Sequence, residues 1–190
     1  VRNHGRGSPA LSQENTAKDS IRSRKVAVLV ADGVESGPVT ELTDALREDG
    51  AIPELLAGTD GAVQSSDGQE LPVDRALNTM ASVLYDAVVV AGGTRAASTL
   101  SGDGYAMHFI SEAVKHAKVV AGIGEGTELV QRAAAGTITT STEEDGWSLD
   151  HGVLTAPSAG NGLPDGFVRS FSELLAGHRV WERSTDAVPA

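Results

Sequence analysis

Apolar residues along this chain come in short unbroken runs alternating with helically spaced stretches, and the alternation starts at Lys25. Residues 25–31 (KVAVLVA) are bounded by charge and by Asp32-Gly33, the pattern of a strand covered on both faces. Residues 38–49 carry Val39, Leu42, Ala45 and Leu46 at helical spacing, with Pro38 suited to a first turn and Gly50 just past the end. Residues 51–57 read as a second strand, 62–73 as a small hairpin or meander turning at Asp67-Gly68, and 85–91 (YDAVVVA) as a buried strand stopped by Gly92-Gly93. Residues 105–117 are amphipathic through Phe109, Ile110, Ala113, Val114 and Ala117. Residues 118–122 return to strand, 125–135 to helix, 152–156 to strand, and 164–175 to a closing helix with Phe167, Phe171, Leu174 and Leu175 inward.

Strands that alternate with helices need crossover connections, so the sheet is parallel and helices cover both faces. The expectation is an α/β fold, a flavodoxin-like three-layer sandwich with a mostly parallel sheet. Residues 1–24 lack sustained periodicity and read as a linker or arm, residues 25–177 as the α/β domain, and residues 178–190 as a tail.

Composition narrows the picture. At 190 residues and 40% apolar content, one domain with a sizeable core is expected. The absence of cysteine removes disulfides, thiolate metal sites and thiol chemistry, and agrees with a reducing compartment. No apolar run approaches the roughly 20 residues that span a bilayer, and the first residues are polar, so a cytoplasmic location is expected and no membrane partner. A formal charge of −11 without a basic stripe argues against nucleic acid.

Candidate chemistry centres on residues 119–130, VVAGIGEGTELV, which read as strand, sharp turn and helix start. Such an elbow exposes one side chain at its tip, and a reactive elbow needs Ser or Cys there with a base behind it. The tip is Gly124, which has nothing to attack with. Gly122, Gly124 and Gly126 do not complete a dinucleotide fingerprint, because the position that requires the third glycine is Thr127. A flavin-phosphate loop is opposed by Asp32 and Glu35, and a phosphoacceptor aspartate by the Ala91-Gly92-Gly93 ending. His4, His108, His116, His151 and His178 form no helical metal pair. Thr137, Thr139, Thr140, Ser141 and Thr142 read as a strand edge and turn, and Glu143, Glu144 and Asp145 as a solvated acidic loop. No metal and no cofactor are expected in this chain.

The order KVAVLVADGVE, YDAVVVAGG, VVAGIGEGTELV, HGVLTAPSAG resembles the class I glutamine-amidotransferase-like superfamily in its PfpI-like branch, over roughly residues 25–176. In active relatives the elbow bears Cys, supported by a carboxylate from the first strand–helix loop and a nearby His. By that resemblance Gly124 stands at the Cys position, Glu125 at the adjacent His of the protease branch, and Pro38 at the loop carboxylate with Glu35 three residues earlier. Ser141, after Thr139-Thr140, stands at the His of the other branch. The pocket is thereby expected to be vestigial and non-catalytic.

A narrower resemblance rests on SPALSQ, RKVAVLVADGV, EAVKHAKVVA and LLAGHRVWERSTDAVPA, which look like the C-terminal region of large-subunit monofunctional haem catalases. It implies a parent that decomposes hydrogen peroxide with haem held elsewhere, and a domain contributing to stability, assembly in a tetramer and chaperone-like protection of unfolding clients. Neither Tyr85 nor Tyr105 has the setting of an axial haem ligand. Trp181 is the interface candidate, docking on the parent or a neighbouring subunit or else packing on its own domain. Two readings of another class stay open, a stand-alone hydrolase or glyoxalase and a ligand-binding module, both using the pocket near Gly124, Glu35 and Glu125.

Overall fold

Five consecutive residues, Val26 to Val30, are wholly buried, as a strand must be when both faces of its sheet are covered. They lie in the interior of the sheet, with strands on both sides. The computed structural model describes residues 8–12, 15, 18–135, 138, 146–157, 162–184 and 188. Its strands are β1 (Lys25–Leu29), β2 (Ile52–Ala57), β3 (Gly61–Gln64), β4 (Glu70–Val73), β5 (Arg75–Ala76), β6 (Ala87–Val90), β7 (Val119–Ile123), β8 (Ser148–Asp150) and β9 (Val153–Ala156). Its α-helices are α1 (Ser36–Glu48), α2 (Thr94–Gly102), α3 (Gly104–Lys115), α4 (Gly126–Ala133) and α5 (Phe167–Ala176).

Seven strands make one sheet in the order β5-β2-β1-β6-β7-β9-β8, with every neighbouring pair parallel except β8 against β9. Helices α1 and α5 pack together on one side, and α2, α3 and α4 pack on one another on the other. This is the mostly parallel three-layer α/β architecture that the alternation implies. The antiparallel β3–β4 hairpin stands apart from the sheet and latches the loop after β1. Gly33 N–H donates to Gln64 O at 2.7 Å, Gln64 N–H to Asp32 Oδ1 at 2.9 Å, and Ser66 N–H to Val34 O at 2.8 Å. Among the described residues no helix is long and apolar enough to cross a membrane.

Three local features depart from the sequence reading. Helix α1 starts at Ser36, which puts Pro38 in its third position, where a backbone N–H still lacks an intrahelical acceptor. Helix α2 was invisible to periodicity, because TRAASTLSG buries only Ala96, Ala97 and Leu100 and two of those are small. The limits of the packed body also lie outside residues 25–177. Ile21 before β1 and Arg183 and Val188 after α5 are buried. Ser23 N–H donates to Gly50 O at 2.8 Å and Val180 N–H to Ala117 O at 2.7 Å. Backbone groups at the strand starts need partners, and these flanking segments supply them. Trp181 itself stays 47% exposed.

Candidate functional site

The elbow forms because β7 is wholly buried up to Ile123 and the next residue turns into the left-handed region, Gly124 having φ of 54°. That conformation disfavours a Cβ by roughly 1 kcal/mol. Gly124 N–H donates to Ala156 O at 2.8 Å, extending the ladder to β9, and Gly124 O accepts from Thr127 N–H at 3.0 Å to open α4. The turn is therefore as sharp as a reactive elbow, with no side chain at its tip. The flanking glycines serve close approach of strand and helix. A Cβ at Gly126 would lie 2.4 Å from the Val90 carbonyl oxygen, and one at Gly122 would lie 2.7 Å from Thr127 Cα.

The crevice where ligands sit in such sheets is the topological switch point, here between β1 and β6. It is narrowed by backbone meeting backbone. A Cβ at Gly93 would lie 2.2 Å from the Gly33 carbonyl oxygen, so the loops after β6 and β1 touch.

Glu125, next to the tip, does not face solvent as a stray acid. Its Oε2 accepts from Gly93 N–H at 2.9 Å and its Oε1 from the Thr94 hydroxyl at 2.7 Å, so α4 reaches across to the start of α2. Burial raises this carboxyl, but the Thr94 and Gly93 hydrogen bonds outweigh it and hold its pKa below the ordinary value. A carboxylate at a helix start is also favoured by the positive end of the helix dipole. Neither oxygen is placed to act as a free base.

Glu35 donates its N–H to Gly92 O at 3.2 Å, and its Oε2 would lie 3.1 Å from a Cβ placed on Gly92. The same Cβ would be 3.0 Å from Ile123 O, so Glu35 brings its carboxylate to the ends of β6 and β7. A carboxylate at the strand ends is thus supplied by Glu35, three residues before Pro38. Pro38 is buried and lines a groove of about 580 Å³ with Glu35, Ser36, Glu41 and Asp67. Hydrogen bonds from Ser65 and Ser36 hold Asp67 below its ordinary pKa. A second groove, of about 390 Å³, lies between α2 and α4 beside Glu125 and Arg132. Neither groove is lined by Gly124. Ser141 lies outside the described residues, as do Thr137, Thr139, Thr140, Thr142 and the acidic loop at 143–145. Among the described residues no three His, Asp or Glu side chains gather as a metal site requires.

Sequence reasoning missed the opposite end of the sheet. There the buried Tyr85 hydroxyl donates to Glu54 Oε2 at 2.6 Å, while Lys25 Nζ lies 2.8 Å from Glu54 Oε1 and 5.3 Å from the Tyr85 ring centroid. Burial and the bond to Glu54 push the Tyr85 pKa up. Tyr105 is exposed near the start of α3. Arg183, held to about 10 by burial, donates from Nε to His151 O at 2.8 Å and from Nη1 to Val114 O at 3.2 Å. Lys118 Nζ donates to the Ser82 carbonyl. A lysine heading the apolar run VVAGI was the one local signal; nothing in the tail marked Arg183.

Residues 22–185 match the family model described as the C-terminal domain found in long catalases. The chain is 47% identical over 184 residues to catalase HPII of Mycobacterium avium, an alignment covering 96% of this chain and 26% of that protein. It is 37% identical over 185 residues to catalase HPII of Pseudomonas aeruginosa, covering 96% and 24%, and 34% identical over 178 residues to catalase-2 of Bacillus subtilis, covering 93% and 23%. It spans about a quarter of the length of these curated relatives. Among solved structures, the VC2308 protein superposes with a TM-score of 0.70 at 22% identity, covering 82% of this chain and 87% of that one. DJ-1beta of Drosophila melanogaster gives a TM-score of 0.70 at 19% identity, covering 82% and 91%. These likenesses show a shared fold. The chain belongs to the family of C-terminal domains found in long catalases.

Proposed function

We propose that this domain carries out no reaction of its own and serves a long haem catalase, an enzyme that decomposes hydrogen peroxide, by stabilising it and supporting its assembly with neighbouring subunits. The observation that carries this reading is the elbow, where a left-handed glycine holds the tip and both oxygens of the adjacent Glu125 are engaged by α2. Nucleophilic catalysis has no nucleophile there and acid–base catalysis loses its nearest base. The close approach of Gly33 and Gly93 favours the same reading over a ligand-binding module, since it narrows the crevice such a module would use. A hydrolase or glyoxalase reading has only carboxylates to draw on.

Haem does not fit the residues present. An axial tyrosine must offer a phenolate to iron, whereas the Tyr85 hydroxyl is engaged with Glu54 in the interior and Tyr105 stands exposed at a helix start. The peroxide chemistry of the parent therefore belongs to the part of the polypeptide outside this domain. Chaperone-like holding of unfolding clients draws support from the exposed apolar side chains of Val83, Leu84, Tyr105 and Trp181. A cytoplasmic setting completes the reading, supported by the absence of cysteine.

The test has two arms. Hemin added to the 190-residue chain, with excess removed, is expected to leave no stoichiometric haem band and no sustained oxygen evolution from peroxide. Deleting the domain from the long catalase is expected to speed heat inactivation while turnover per haem before heating is unchanged. Haem-dependent turnover by the isolated chain, or identical inactivation rates, would refute the reading.

A further inference from the structure

At the end of the sheet away from the elbow, the starts of β1, β6 and β7 bring Arg24, Asp86 and Lys118 together, and the chain after α5 adds His178 and Arg179. The Asp86 carboxylate is taken up on both oxygens. Oδ1 meets Arg24 Nη1 at 3.2 Å and His178 Nε2 at 3.5 Å, and Oδ2 accepts from Lys25 N–H at 3.0 Å. Among the described residues the other two cations hydrogen-bond only to carbonyls and share the field of the same Asp86. Arg179 Nη1 donates to His178 O at 2.8 Å, and Lys118 Nζ donates to Ser82 O. Lys118 is 2% exposed and Arg179 is half-buried. One carboxylate already engaged by Arg24 and His178 compensates two further cations poorly. Glu112 on α3 also faces Lys118, but it is engaged by His116 at 3.2 Å. A positive cluster thus persists on a chain whose formal charge is −11.

Exposed apolar residues adjoin this cluster along the chain. Val83 and Leu84, 77% and 53% exposed, lie in the chain between the Ser82 carbonyl that holds Lys118 and the Asp86 that holds Arg24.

We propose that this face is an anion-binding site that takes an oxyanion, a carboxylate or a phosphate, on the guanidinium groups of Arg179 and Arg24, with Lys118 supplying charge from the interior. A guanidinium presents paired donors that match either group. Val83 and Leu84, exposed and close by in the chain, suit an anion carried on an apolar body. The site is independent of the elbow and of the accessory reading given above. Burial, with Arg179 adding repulsion, lowers Lys118 to about 8, and burial likewise lowers His178 and Arg179. The groups that face His178 are Arg179, Arg24, Asp86 and Lys118, so a bound anion would favour the charged form of each cation here.

The proposal is tested by titrating the 190-residue chain calorimetrically near pH 8 with inorganic phosphate, with N-acetylleucine, and with N-acetylleucine amide as the uncharged control. Saturable binding of at least one anion and none of the amide is expected. Phosphate binding tighter than N-acetylleucine would mark a free-phosphate source, and the reverse a carboxylate on an apolar body. Arg179→Gln is expected to weaken binding at least about tenfold, while Arg47→Gln, an exposed arginine on α1, leaves it unchanged. Proton uptake on binding, read from two buffers of different ionisation enthalpy, is expected in the native chain and lost in Lys118→Met. No saturation by either anion in the millimolar range, equal weakening by Arg47→Gln, or undiminished proton uptake in Lys118→Met would overturn the proposal.

Discussion

The two ends of the one sheet differ in what they bury. At the carboxyl ends of β1, β6 and β7 the contacts are backbone on backbone, through Gly33, Gly93, Gly122 and Gly126, and the charged groups nearby are mostly acids, Asp32, Glu35 and Glu125, with Arg95 beside Asp32. At the opposite end the buried and half-buried groups include Lys118, Arg179, Arg183 and Tyr85, most of them hydrogen-bonded to carbonyls, beside the carboxylates Glu54 and Asp86. The elbow end keeps the geometry of a reactive site and lacks its reagent. The other end has no such geometry, yet holds the ionisable groups whose pKa values are moved furthest. In this domain perturbed titration and the strand–helix elbow lie at opposite ends of the sheet, so neither alone locates function.

Substituting at the close approach of α4 to β6 should give the largest effect. Gly126→Ala puts a Cβ against the Val90 and Ala91 carbonyl oxygens, neither of which is the end of a flexible side chain. Loss of about 3 kcal/mol of stability is expected in urea unfolding. A loss below about 0.5 kcal/mol would mean that the elbow end is loosely packed and the contrast is false.

Lys118→Met probes the other end through pH. Burial lowers the lysine to about 8 from an ordinary 10.5, so the unfolded chain binds the proton more tightly. Native stability should therefore rise with pH between those two values, by up to about 2 kcal/mol, and Lys118→Met should remove that rise. Parallel stability–pH curves for the two proteins would show that Lys118 is not the source.

Glu125→Gln is smaller and acts in a lower pH range, with stability again rising with pH. The carboxyl is held below its ordinary value of 4.5, so its contribution is present above that pH and is lost as pH falls through the folded value. A loss of about 1 kcal/mol is expected at pH 7, vanishing in acid, by thermal or urea unfolding. Smallest of all is Gly124→Cys. Its left-handed backbone predicts a loss of about 1 kcal/mol or less. Esterase turnover is expected to stay at the level of Gly124→Ala, because Glu125 is occupied by Gly93 and Thr94. Turnover well above that control would show that the elbow end retains a working base.

Much of this was legible along the chain, for local reasons. Continuous runs such as AVVV declare strands buried on both faces, and spaced sets such as Val39, Leu42 and Leu46 declare helices, because each pattern repeats within one element. Gly124 at the tip of a strand–helix turn needed only the residues on either side of it. The weakly apolar α2 escaped, since a helix of small residues owes its place to the sheet and to α3 and α4 around it and not to its own periodicity.

What the sequence by itself determined was therefore the order and type of most elements and the missing reagent. The tertiary structure alone decided that Glu125 reaches Gly93 and Thr94, that Glu35 supplies the carboxylate at the strand ends, and that the residues flanking 25–177 join the packed body. It also decided that Asp86 meets His178 and that Arg183 reaches Val114. These partners lie far apart in sequence, where no periodicity links them, and the fold brings them together only because parallel crossovers return successive strands to the same edge of one sheet.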